Sequence, residues 1–241
     1  MKKEFLDMRV RFFLTLIVML SLFFLVMALK DWGIEILKKN QVELSKFAGK
    51  DLLEKLKDWN FYIYSQWYGK NLGQFIPIIG IIFAFPLFSR EIENGTIEYL
   101  LTRRKRSRVF SDKVTVSLSL LIISIVILSL LPLIYTTFSS IRFNARYVPV
   151  LTLHAVIGSF VWYSVALLFS VIFNDQVKPL LSSFAILAIT TVVGIIKPLR
   201  FFNTYSYIMS AKGMTLEDIA YSIISIVFIY LSYEIFKREE F

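Results

Sequence analysis

Apolar residues fall in six long stretches, at about 12–29, 73–89, 114–138, 148–173, 178–196 and 217–236, with polar or mixed segments between them. A helix of about twenty such residues, rising ~1.5 Å per residue, reaches across the roughly 30 Å hydrocarbon core of a bilayer. The pattern predicts an all-α polytopic membrane protein with six transmembrane helices in a single transmembrane domain, 1–241. No leftover segment is large enough for a soluble enzyme domain, so chemistry that needs a soluble cofactor has to come from a partner.

The segments between the spans carry their own periodicity. In the loop 30–72, Ile34, Leu37, Leu44, Phe47, Leu52, Leu56, Trp59, Ile63 and Trp67 recur at helical spacing, with Gly49 as a break. One or two external amphipathic helices are expected there, and Trp59, Phe61, Tyr62, Tyr64, Trp67 and Tyr68 suit a membrane interface. The stretch from Lys197 to Gly213 is aromatic but too short and polar to span, which fits a re-entrant or interfacial element. Thr215 is placed to cap the last helix, with Glu217 and Asp218 in its first turn. Met1 to Arg11 mixes Phe5, Met8 and Val10 with four cations, as a short interfacial helix does. The first span lacks a small-x-small cleavage pattern and is taken as an uncleaved anchor.

Composition agrees with a bilayer protein: 56% of the residues are hydrophobic, above the roughly 45–50% of soluble domains. In such a chain the net charge of +9 points to basic flanks on anionic lipid headgroups rather than to nucleic acid. Of the 27 basic residues, 14 lie on the side of the termini and 13 on the other, so the total decides no orientation. Density does, because seven cations crowd the short segment Arg90–Lys113, whereas the eight in the first loop are diluted among six carboxylates. Both termini and the segment 90–113 are therefore expected in the cytoplasm, in a multi-pass protein of the cell membrane.

Most catalytic chemistries are poorly provided for. There is no cysteine, and the single histidine, His154, precedes Ser159 by five residues. On one helix that spacing points the two side chains about 140° apart, which favours a packing histidine over a nucleophile–base pair. A zinc site needs several His or carboxylate ligands, and the spans hold almost no carboxylates. No phosphate-binding loop G-x-x-x-x-G-K-[ST] occurs, so the chain does not bind ATP by that means. The serines 117, 119, 124 and 129 in the third span suit close helix packing better than a polar pathway. Gly73, Pro77, Gly80 and Pro86 make the second span irregular, as a hinge or simply as membrane helices tolerate.

The segment 90–113 is the most informative. Asn94-Gly95 can end the helix of the second span, because glycine readily takes the left-handed conformation. Thr96 can then cap a short helix with Glu98 in its first turn and Ile97, Leu100 and Leu101 on an apolar face, and Ser107 can cap the third span. Here the chain resembles the permeases of the ABC-2-type transporter family, in which the second span is followed by a pattern close to E-x-E-x-G-T-x-x-x-L-L and then by a lysine. The matching residues are Glu91, Glu93, Gly95, Thr96, Leu100 and Leu101, with Lys113 for the lysine. The run Arg103-Arg104-Lys105-Arg106-Ser107-Arg108 departs from the proline-containing turn of the family.

The resemblance implies the membrane subunit of an ABC exporter, working as a homodimer or heterodimer of permeases with a separate cytoplasmic ATPase. It also implies that this segment is a coupling helix docked in an ATPase groove. Glu91, Glu93 and Glu98 would make polar contacts there, while Ile97, Tyr99, Leu100 and Leu101 fill the groove and Arg103 and Arg104 touch ATPase or membrane lipid. ATP and magnesium would then sit on the ATPase, with no cofactor in this chain. A non-transporting scaffold or immunity protein that recruits a cytoplasmic partner is the alternative.

Overall fold

The computed structural model describes residues 2–39 and 52–239, and among these there is helix but no strand. The expected positions Leu44, Phe47 and Gly49 of the first loop lie outside the described residues. Helix α1 (Lys2–Ala28) leads into α2 (Lys30–Lys39), and α3 is Leu52–Lys57. Helix α4 (Trp59–Tyr62) runs without a break into a π-helical segment, Ile63–Leu72, and then into α5 (Gly73–Ala84). Two short helices follow, α6 (Ser89–Glu93) and α7 (Thr96–Arg103), before the long α8 (Arg106–Phe138). Helices α9 (Val148–Ile172) and α10 (Val177–Val193) precede a hairpin made of a 3-10 turn, Lys197–Phe202, and α11 (Thr204–Ile208). Helix α12 (Leu216–Arg238) closes the bundle.

Among the described residues, five helical segments are long and apolar enough to cross a membrane: Lys3–Ala28, Trp59–Glu93, Arg106–Phe138, Ala145–Ile172 and Leu216–Arg238. The expected fifth span is the shorter α10, whose 17 residues lie at the lower limit for crossing. It stops because the chain reverses tightly at Gly194, where an added Cβ would fall 2.4 Å from Cβ of Asn203.

Two sequence expectations are corrected. The aromatic stretch after Asp58 is not a separate surface helix but the beginning of the second long helix, with Ile63 and Trp67 fully buried. Trp67 Nε1 donates to the Leu128 carbonyl (3.1 Å) and Tyr68 Oη to the Ser129 carbonyl (2.6 Å), so both polar tips bond to α8 backbone. The wider π register shifts the phase of the apolar stripe, which makes a buried face look like a surface one. Residues 2–11, likewise, form no separate interfacial helix but continue unbroken into α1.

Helix α9 is the centre of the bundle, and α5 lies against it at backbone distance. A Cβ on Gly80 would stand 2.6 Å from the Ser159 carbonyl oxygen, so only glycine permits this approach. Ser117, Ser124 and Ser129 are buried between helices, as packing requires, whereas Ser119 is exposed. Pro86 falls where the second long helix breaks between α5 and α6, and the backbone N–H groups of Phe88 and Ser89 donate to the Ser170 hydroxyl at 3.0 and 3.2 Å.

At the far end of the bundle the Thr215–Asp218 capping box starts α12. Asp218 also accepts from Tyr207 Oη (2.5 Å) and stands 3.3 Å from His154 Nε2, while His154 Nδ1 donates to the Ser210 carbonyl (2.8 Å). His154 thus fastens the end of the hairpin to α9, and the Tyr207–Asp218 bond fastens it to α12. Ser159 hydrogen-bonds its own helix at the Val156 carbonyl, away from the imidazole.

Gly80→Ala is expected to lower the thermal unfolding temperature of the detergent-solubilised protein, at a cost of about 1–3 kcal/mol for prising α5 from α9. Gly33→Ala, where nothing lies within 4 Å, is expected to leave it unchanged or slightly raised.

Candidate functional site

The segment after the second long helix folds as helix, left-handed turn, helix. Gly95 takes φ +63°, the conformation that lets α6 end and α7 begin in a new direction. The expected caps differ in detail. Gly95 itself precedes α7, while the Thr96 hydroxyl turns back to the Glu91 carboxylate, with a further contact to the Glu91 carbonyl at 3.3 Å. Lys105, not Ser107, stands at the N-cap of α8.

Glu91 is the hub. One of its carboxylate oxygens is 3.0 Å from Lys113 Nζ of α8, and Lys3 Nζ of α1 lies 3.8 Å from the same oxygen. Lys113 Nζ also meets Glu4 of α1 at 3.0 Å. Lys113 and Glu4 are nearly inaccessible, with 4% and 8% side-chain exposure, so this ammonium is removed from water and compensated by two carboxylates. Beside the cluster is a cavity of about 180 Å³ lined by Asp7, Arg11, Arg90 and Asn94 in addition to the residues of the ion network.

The basic turn behind α7 is also anchored. Arg106 Nη1 donates to the Phe236 carbonyl (3.0 Å) and the Glu239 carbonyl (2.5 Å), which places a cation at the negative end of the α12 dipole. Arg104 pairs with Asp112 at 3.1 Å, and the Arg103 guanidinium lies 4.3 Å from the centre of the Tyr99 ring. On the other flank, Gln176 in the α9–α10 turn donates to Glu93 at 2.7 Å. At the same turn, Lys178 in the first turn of α10 hydrogen-bonds Asp175 and holds its carboxyl below the usual range.

The residues expected to meet a partner therefore divide into three sets. Glu91 faces the ion cluster and Ile97 is 2% exposed, so both are committed to the chain itself. Leu100 and Leu101 are half-buried, whereas Glu93, Glu98, Tyr99, Arg103 and Arg104 are exposed, as are Gly95 and Thr96 in the turn. Tyr99 stands out as a large aromatic side chain at 57% exposure. Sequence reasoning missed Glu4, Ser170, Gln176 and the anchoring role of Arg106. Glu4 and Lys113 did carry a signal, since charges beside apolar spans need partners of opposite sign at the same depth.

A sequence profile described as "ABC-2 family transporter protein" matches residues 1–210, most of the chain. No curated protein and no solved structure matches it. With its long apolar helices and the turn-and-helix between the second and third of them, the chain belongs to the ABC-2 transporter family and is a multi-pass membrane transport permease.

Proposed function

We propose that the protein is the permease subunit of an ATP-driven exporter, paired with a second permease chain and worked by a separate cytoplasmic ATPase through α7. The observation that carries this reading is the two-sided character of α7. Its inner side is fixed to the chain by Ile97 and by the Thr96–Glu91 contact, and its outer side presents Glu98, Tyr99 and Arg103 to solvent. A helix built this way can receive a push and pass it inward.

The push has a defined route. Through Glu91 and Lys113 it reaches α8 and the start of α1, and through Arg106 it reaches the end of α12. Closure of two ATPase subunits around ATP and magnesium would move these helices together and switch the pathway between the permeases, a rigid-body change between two packed states. ATP binding and hydrolysis belong to the partner. Both termini and α7 would face the cytoplasm, in keeping with the dense basic run Arg103–Arg108.

Tyr99→Asp combined with Glu98→Lys is expected to abolish co-purification of an ABC ATPase from the native membrane while leaving the permease folded and in the membrane. Capture that survives this change would place the contact elsewhere, and a permease that captures no ATPase at all would favour the scaffold reading.

Lys113→Ala is expected to leave capture intact but to uncouple ATP hydrolysis from movement of the permease. The change strands the buried Glu4 carboxylate and leaves the partly buried Glu91 with only Lys3 and Thr96, at about 3–5 kcal/mol. Adding Glu4→Gln and Glu91→Gln should recover much of the lost thermal stability without restoring coupling. Coupling can be read as the ATP-dependent change in distance between spin labels on α1 and α8, for which the cysteine-free chain is well suited.

A further inference from the structure

Helices α9, α10 and α12 enclose a groove of about 370 Å³ that presents no polar surface. Val165 and Phe169 of α9, Ile186 of α10, and Ile224 and Phe228 of α12 form its walls. The polar groups that reach it are already satisfied. Thr190 Oγ1 donates to the Ile186 carbonyl of its own helix (2.8 Å), Trp162 Nε1 donates to Thr204 (2.9 Å), and Tyr221 Oη donates to the Phe201 carbonyl. Water entering the groove would find no partner, so its natural occupant is a hydrocarbon.

Length and position narrow the choice. From Val161 to Phe169 the groove follows α9 for eight residues, about 12 Å at the helical rise. That is close to one leaflet, half of the roughly 30 Å core. Its upper end meets the 3-10 turn Lys197–Phe202, whose Phe201 and Phe202 line it. Lys197 and Arg200 on this turn are both exposed, and at three residues per turn they share one face, making a cationic rim beside the mouth.

We propose that this groove is a binding site for an anionic bilayer phospholipid, with one acyl chain between α9, α10 and α12 and the phosphate held by Lys197 and Arg200. The site requires only that the protein reside in a membrane, so it stands or falls independently of ATPase coupling.

The test is photolabelling of the full-length protein in nanodiscs, using phosphatidylglycerol or phosphatidylcholine that carries a diazirine on the acyl chain, with the labelled residues mapped by mass spectrometry. In the wild-type protein the phosphatidylglycerol label is expected to concentrate on Val165, Ile186 and Ile224, about 25-fold over phosphatidylcholine, since each of the two interfacial cations contributes roughly a fivefold attraction. Lys197→Gln with Arg200→Gln should remove that preference, and Thr190→Phe, which intrudes on the groove, should reduce labelling there. Labelling spread evenly over outward-facing residues such as Ile189, Ile223 and Val227, equal labelling of the groove by both lipids, or cross-links from the groove to a second copy of the chain would each overturn the proposal.

Discussion

A single ammonium group, Nζ of Lys113, holds the working end of this protein together. It lies 3.0 Å from Glu4 and 3.0 Å from Glu91, in a site nearly closed to water. Burying a charge costs several kcal/mol, and the cost is offset only when opposite charges are held at short range. The three helices that supply these side chains cannot separate without stranding an ion. Thr96 adds the fourth element, because its hydroxyl bonds the same Glu91 carboxylate. The start of α1, the end of the second long helix, α7 and the start of α8 therefore form one mechanical unit.

That unit is joined to the remainder of the bundle by contacts of a different kind. Arg106 seats on the carbonyl end of α12, and Ser170 of α9 receives the backbone N–H groups freed where the second long helix breaks. A break stabilised by a hydroxyl from a neighbouring helix is a defined bend, not a disordered one. Beyond it, Gly80 brings α5 and α9 to backbone contact, and His154 and Asp218 fasten the hairpin at the opposite end. Charged and hydrogen-bonded anchors thus sit at both ends of the bundle, with dense apolar packing between them, as expected where the middle of each helix faces hydrocarbon or other helices.

The legible part of the site was its local chemistry. Gly95 had to take a left-handed conformation for α6 to turn into α7, and it does. The apolar face of α7 was visible in the spacing of Ile97, Leu100 and Leu101, but its destination was not. An apolar stripe can serve the chain's own core or a partner's groove, and here Ile97 went to the core while Tyr99 stayed outside. The second long helix extends well before the apolar stretch 73–89 for a related reason. The aromatic residues from Trp59 to Tyr68 suit both an interface and a buried helix, and only the contacts to Leu128 and Ser129 distinguish the two.

By itself, then, the sequence determined the class of protein, the existence of the long helices and the turn at Gly95, because hydropathy, helical period and glycine's freedom act over a few turns of chain. Tertiary structure decided what those elements do for one another. Glu4 and Lys113 are 109 residues apart, and Arg106 and Phe236 are 130 apart. A charge beside an apolar span announces that it needs a partner, but which of the possible partners stands within 3 Å is settled only when the helices have packed.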